Sequence, residues 1–282
     1  MAEWIETYRG AVAPWECDLT EHFTIAYYFD RLTDAGASLA ETLGFPELAL
    51  GGPRSGRLDL RFVRELRAGA SFHILSGPLG VDDSGVRLAH RVIDSANDGM
   101  VTWVAQSVDL PPASVALREA FTRAVVRWEG PAIEPRPQPA TTKGFIPTAR
   151  GRVKPADLDD SGQLSLAGFV HRFSDACAQA LAAIGFSADY AHAQRRGYST
   201  FELSLQIIQA PRLGAALLVE TGILHLGNSS VRFLHRMSDP KSGEELARLG
   251  QFGVQLDLDA RRPAALPEEL RTRAARILVP VA

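Results

Sequence analysis

Two aspartates, Asp18 and Asp159, each stand six residues before a hydroxyl residue, Thr24 and Ser165, that opens an apolar run at helical spacing. Either hydroxyl suits a helix N-cap, because its oxygen can accept from an otherwise unpartnered N–H. A carboxylate on the loop before a helix can take a proton from water or attack a carbonyl carbon. The helix start offers the complementary group, since its first amides lack partners and carry the positive end of the dipole. A base facing oxyanion donors is the equipment of acyl-group chemistry. The plainer role for both acids is to satisfy turn backbone. Glu16 and Asp157 lie two residues earlier. In an extended segment they would share a face with the aspartates and could raise a carboxyl pKa, or they are solvated loop acids.

The pairing of these positions reflects a repeat. Offset by 141, half of the 282 residues, Val12, Pro14, Asp18, Ala26, Arg31, Asp34, Ala35, Ala37, Gly44 and Phe45 recur as Val153, Pro155, Asp159, Ala167, Arg172, Asp175, Ala176, Ala178, Gly185 and Phe186. Four inserted residues later, at an offset of 145, Val86-Arg87-Leu88-Ala89-His90-Arg91 meets Val231-Arg232-Phe233-Leu234-His235-Arg236. Two copies of one fold unit are expected. They are joined by a proline-rich connector, residues 131–147, which should be extended and semi-rigid.

Each copy reads as a strand, a loop, one long helix and several strands. Ile25, Phe29, Leu32, Leu39 and Leu43 recur at helical spacing, with Gly44 as the stop; Leu166, Val170, Phe173, Ala180 and Ile184 match them, with Gly185. The strands expected in copy 1 are 58–63, 71–76, 86–93 and 101–110. Those of copy 2 are 198–208, 216–226, 231–237 and 245–257. Helices are expected near 114–128 and 267–278. One helix against an antiparallel sheet makes an α+β layer in each half, and joining the sheets edge to edge would hide two edge strands.

Composition narrows the functions. The chain is 46% hydrophobic and 22% charged, with 30 basic and 33 acidic side chains and a net charge of −3. No basic field points to nucleic acid, no apolar run is long enough to span a membrane, and the acidic first ten residues do not read as a secretory signal. Two cysteines, Cys17 and Cys177, exclude a disulfide framework and weigh against a zinc site. A cytoplasmic location is the expectation.

Pro14-Trp15-Glu16-Cys17-Asp18-Leu19-Thr20-Glu21-His22-Phe23-Thr24, with Tyr28 and Asp34-Ala35, resembles the start of a hotdog-fold thioesterase of the 4-hydroxybenzoyl-CoA thioesterase-like group. Copy 2, through Thr200-Phe201-Glu202, Arg232-Phe233-Leu234-His235, Gly243-Glu244, Leu256-Asp257, Arg261-Arg262-Pro263 and Leu266-Pro267, is similar to the units of betainyl-CoA and carnitine dehydrogenase-associated thioesterases. The resemblance implies a tandem double hotdog, with repeats at 1–130 and 148–282. It implies an acyl-CoA thioesterase acting without metal or organic cofactor, coenzyme A arriving as part of the substrate. A homodimer of such double chains is a further arrangement it allows.

By the same resemblance Asp18 and Asp159 are the catalytic aspartates, and the amides of Ile25 and Leu166 are oxyanion donors. His22 falls on the family histidine, where it could polarise the thioester or hold Asp18; a half-buried structural role is the alternative. Copy 2 has Gln163 there, which donates but does not titrate. Copy 1 has Glu21 at the family's glycine, which copy 2 keeps as Gly162. Tyr27, Tyr28 and Phe169 could shape an acyl pocket or simply pack. Glu202 lies on a strand that lines the cleft in relatives, with Asp59 as a candidate equivalent. Asp34 and Asp175 are expected to contact an arginine or helix backbone. Arg87, Arg91, Arg232 and Arg236 could meet coenzyme phosphates or face solvent, and Asn228, Ser229 and Ser230 could reach the cleft or serve a turn. The sequence leaves two rivals: a non-catalytic acyl-CoA binding module, and a hotdog dehydratase or hydratase, which lacks its Asp-x-Asn-Pro-x-His segment.

Overall fold

The computed structural model describes residues 2–18, 20–48, 50–52, 55–133 and 137–282; of the connector, residues 134–136 fall outside these. Chain order runs β1 (Ile5–Ala11), α1 (Ile25–Thr42), β2 (Gly56–Phe62), β3 (Ser71–Val81), β4 (Gly85–Asp94), β5 (Gly99–Asp109) and α2 (Val115–Arg123). The second half follows as β6 (Ile146–Arg152), α3 (Leu166–Ala183), α4 (Ala188–Gln194), β7 (Arg196–Ile207), β8 (Ala216–Leu226), β9 (Ser230–Ser238), β10 (Glu245–Asp257), β11 (Arg262–Pro263) and α5 (Glu268–Ala275). The 141 offset carries β1 onto β6 and α1 onto α3, and the 145 offset carries β3 onto β8.

All strands form one antiparallel sheet in the order β1-β3-β4-β5-β2-β7-β10-β9-β8-β6, with β11 on β10. The halves join where β2 pairs with β7, from Gly56 opposite Ile207 to Arg61 opposite Glu202. The join satisfies two edges that would otherwise expose unpaired backbone. One core runs through both halves, with Phe29 and Leu32 of α1, Phe169 and Phe173 of α3, and Leu60 and Leu205 of the sheet all buried. The tandem hotdog is therefore present. α2 is shorter than its apolar pattern, because Val126 leaves the helix to donate to Pro78 O at 2.9 Å. α4 was not legible; it uses the four residues inserted in copy 2.

The repeated His-Arg strands bury their histidines. His90 and His235 are fully buried, each with Nδ1 2.7 Å from a hydroxyl, Ser76 or Thr221. Burial pushes His90 down to about 4 and His235 down to about 3. Unfolded histidine titrates near 6.5, so between these values the unfolded chain binds more protons than the folded one. This contribution is full above about pH 6.5 and is lost as pH falls towards the folded values. The expected result is a Tm that declines steadily from about pH 7 to pH 4.5 in scanning calorimetry, with part of the decline removed by His235→Gln; a flat Tm contradicts it. The neighbouring arginines pair locally: Arg91 with Glu129 at 2.6 Å, Arg236 with Glu245 at 2.9 Å, and Arg232 with Glu202 at 3.4 Å.

Candidate active site

The Asp18 loop closes on itself. Asp18 Oδ1 accepts from the Thr20 amide at 2.7 Å, the Thr20 hydroxyl at 2.6 Å and the His22 amide at 3.2 Å. No described residue donates to Oδ2. Because the Thr20 hydroxyl gives its one proton to a carboxylate, it accepts from His22 Nδ1, 2.9 Å away, and Nδ1 carries hydrogen. His22 Nε2 lies 2.8 Å from Glu65 Oε2 and 2.9 Å from Arg261 Nη2, and Arg261 also pairs with Glu65. Arg67 stands 4.0 Å from Glu65 and 3.7 Å from Glu21. Partial burial raises the Glu65 pKa, but the contact with the His22 ring and the charges of Arg261 and Arg67 win and hold it below the usual value.

Glu21 occupies the turn position with φ 63°, where Gly162 has φ 74°. Its side chain is 81% exposed, so it neither blocks the cavity nor adds an acid to it. A side chain in this left-handed region costs about 1 kcal/mol or more. Glu21→Gly is expected to raise stability in urea denaturation by about 1 kcal/mol and to leave activity near wild type.

The loop opens onto a cavity of about 450 Å³ lying between the repeats. Asp18, Thr20, His22, Thr24, Ile25, Tyr28 and Glu65 line one side; Cys177, Leu181, Phe186, His192, Tyr198 and Gln251 are among those lining the other. α1 begins there without a side-chain cap: Thr24 is the N-cap, its side chain accepts no cap hydrogen bond, and the Ile25 amide has no partner among the described residues. Thr20 is seated by the opposite repeat, since a Cβ on Gly197 would lie 2.9 Å from its methyl.

The Asp159 turn repeats this geometry but not its surroundings. Asp159 Oδ1 accepts from the Ser161 amide at 3.0 Å, the Ser161 hydroxyl at 2.7 Å and the Gln163 amide at 3.1 Å. His22 bridges Arg67 and Gln163 bridges Arg212, so Ala210 stands where Glu65 does and no carboxylate faces Gln163 from there. Ser165 caps its own helix by accepting from the Gly168 amide at 3.0 Å.

The α1 face equivalent to the cavity wall of α3 is covered by the chain itself. Leu50 is fully buried, and its carbonyl accepts from Gln106 Nε2 at 3.0 Å. A Cβ on Gly36 would lie 2.6 Å from Gly51 N, and one on Gly51 would lie 2.0 Å from Thr33 O. In copy 2 the four extra residues rise into α4 instead, and Gln251, the counterpart of Gln106, faces the open cavity.

The other sequence candidates lie elsewhere. Ser165, Leu166, Glu202, Asn228 and Arg232 are outside this cavity, and Gln163 borders a separate hollow with Arg212 and Asp239. Glu202 is held by Arg61 at 2.6 Å and Arg232 at 3.4 Å. The 145 offset, fixed by Leu58 opposite Gln106 and Leu203 opposite Gln251, makes Arg57 its counterpart rather than Asp59. Asn228 sits on the exposed β8–β9 turn, where its carbonyl accepts from the Leu266 amide at 2.8 Å. Glu16 and Asp157 cap their own short turns, accepting from the Ala13 and Lys154 amides at 2.8 Å, and pair with Arg31 and Arg172. Asp34 and Asp175 are exposed and make no hydrogen bond among the described residues, so the expected arginine or backbone bond is not formed. Tyr28 lines the cavity, whereas Tyr27 packs on His171 with ring centroids 5.8 Å apart. Among the described residues no three His, Cys, Asp or Glu side chains cluster as around a metal, and no helix is long and apolar enough to cross a membrane.

Two long helices wrapped by one continuous sheet, with a carboxylate turn and a helix start at the cavity between them, define a tandem hotdog fold. Residues 153–274, within the C-terminal repeat, match the model of the Thioesterase-like superfamily. Solved structures extend the likeness over the whole chain. A Lactobacillus plantarum protein provisionally described as an oleoyl thioesterase is 14% identical with a TM-score of 0.70, covering 95% of this chain and 98% of that one. An acyl-ACP thioesterase from Bacteroides thetaiotaomicron is 13% identical with a TM-score of 0.67, covering 87% and 96%. The 12:0-ACP thioesterase from Umbellularia californica is 13% identical with a TM-score of 0.62, covering 88% and 93%. Comparison with curated proteins gives no significant sequence match.

Proposed function

We propose that the protein hydrolyses an acyl-CoA thioester to a carboxylic acid and free thiol, at one site per chain built from Asp18, Thr20, His22 and the start of α1. The observation that carries this reading is Asp18 at the cavity wall, its Oδ1 fixed by three donors and its Oδ2 without a donor among the described residues. A carboxylate oriented in this way is the reacting group in either route open to it, activation of water or direct attack on the carbonyl carbon. The Ile25 amide, unpartnered at the positive end of α1, is the donor for the oxyanion. His22 acts through Thr20 on Asp18, since both of its ring nitrogens are already engaged, and Glu65 orients it. No step needs a metal or organic cofactor.

The Asp159 turn has Ala210 where the other has Glu65, its helix is capped by Ser165, and it stands outside the cavity between the repeats, which supports its being structural. The cavity, lined by Phe186, Leu181 and Tyr28, takes the acyl chain. The test is release of free thiol from acyl-CoAs of graded length, with the matching acyl-carrier-protein thioesters beside them. Saturable release from a CoA ester supports the reading. Release from carrier-protein esters alone overturns its CoA part, and binding without release of any thiol overturns hydrolysis.

A further inference from the structure

The hairpin that carries Arg261 has no counterpart in copy 1, where β5 ends at Asp109 and the chain runs directly towards α2. It is held firmly. Asp257 Oδ1 accepts from the Asp259 and Ala260 amides at 3.0 and 2.9 Å, Arg196 pairs with Asp257 at 2.8 Å, and Arg195 pairs with Asp259 at 3.0 Å. Arg261 itself takes the left-handed conformation, φ 52°, which a non-glycine residue adopts at a cost and which persists where the surroundings fix it. From there its side chain crosses to the other repeat and ends on Glu65 and His22.

We propose that Arg261 is a positioning residue, supplied by the C-terminal repeat, that sets where the proton sits on His22 of the N-terminal repeat. The proposal rests on the hydrolase reading for its catalytic consequence but not for the proton placement itself. His22 Nε2 has two neighbours pulling in opposite directions. Glu65 Oε2 at 2.8 Å favours a proton on Nε2, making the ring a cation because Nδ1 already holds one. Arg261 Nη2 at 2.9 Å is only a donor and favours a bare Nε2 lone pair. It also neutralises Glu65 and so weakens the opposing pull. The other charged groups facing the ring are Asp18, which acts through Thr20, and Arg67 and Glu21 beside Glu65. A cationic ring would draw charge from Asp18 through the Thr20 hydroxyl and weaken it as a base. Arg261 thus keeps the carboxylate reactive without touching substrate.

The test compares Arg261→Met, Arg261→Lys and Arg262→Met in the full chain, with Glu65→Gln alone and combined with Arg261→Met. Nitrogen-15 shifts of the His22 ring report its protonation. The expected result is a Nε2 resonance that moves towards the protonated position in Arg261→Met and stays in place in Arg262→Met. An unmoved resonance overturns the proposal whatever the enzyme does. Where wild type turns over a thioester, kcat should fall about tenfold in Arg261→Met with KM within twofold, and recover in part in Arg261→Lys. Glu65→Gln with Arg261→Met should lose no more than Glu65→Gln alone, because without that carboxylate nothing draws a proton to Nε2 for the arginine to oppose. Additive losses, or a rise in KM alone, overturn it as well. Absence of thiol release by wild type would sink the hydrolase reading, while the ring shifts would still decide the proton placement.

Discussion

Asp18→Asn is expected to slow thiol release by about a thousandfold, in the range that a positioned acid or base contributes, while Asp159→Asn stays within twofold of wild type. The asparagine preserves shape and keeps an oxygen for the Thr20 and His22 donors, but it cannot take a proton or attack a carbonyl carbon. KM should change little, since the proposed site spreads substrate binding over the cavity walls and the uncapped start of α1. The two aspartates make the same three hydrogen bonds, so any difference between the variants arises from what surrounds them. Among the described residues, only Asp18 has a histidine backed by Glu65 and a place on the wall of the cavity between the repeats. Steady-state kinetics on both variants check this; equal losses from the two would mean that the Asp159 turn also works.

The second large effect is on stability. Gly36→Val should destabilise the chain by about 3 kcal/mol in urea denaturation, because overpacking at a closed contact forces backbone apart. The obstacle is backbone at 2.6 Å, and the close Gly51–Thr33 approach leaves no freedom to retreat. Cys177→Val, at the equivalent position of α3, meets the cavity instead and should cost less than about 1 kcal/mol, while narrowing the acyl pocket. Equal costs at the two positions would contradict the asymmetry between the filled and open faces.

The repeat made the fold legible. The offsets of 141 and 145 mark both long helices and the strands of both halves of the sheet, because a hotdog unit is built by periodicity and turn chemistry that survive in each copy. The candidate site was legible only where the copies agree in residue type. Asp18 and Asp159 were found together, and nothing in the sequence separated the surroundings of the one from those of the other. That distinction lies in the four inserted residues, which stand up as α4 in one copy and whose absence lets Leu50 and Gly51 lie flat on α1 in the other. Glu65 was missed because its counterpart is Ala210, so comparison of the copies could not flag it. Arg261 stood inside a recognised motif, but its target is in the other repeat, and such long-range convergence leaves no mark in spacing. Conversely, Glu202, Asn228 and Arg232 matched motif positions yet serve an ion pair and a hairpin away from the cavity.

The central claim is a single substrate site per chain, formed between the repeats at Asp18. Titration calorimetry of Asp18→Asn protein with an intact acyl-CoA measures it most directly, because the slowed variant holds its substrate long enough to count. The account predicts one molecule bound per chain, with binding abolished when Cys177 on the cavity wall is replaced by tryptophan and retained in Asp159→Asn. Two molecules per chain, or binding indifferent to the Cys177→Trp block, would contradict it.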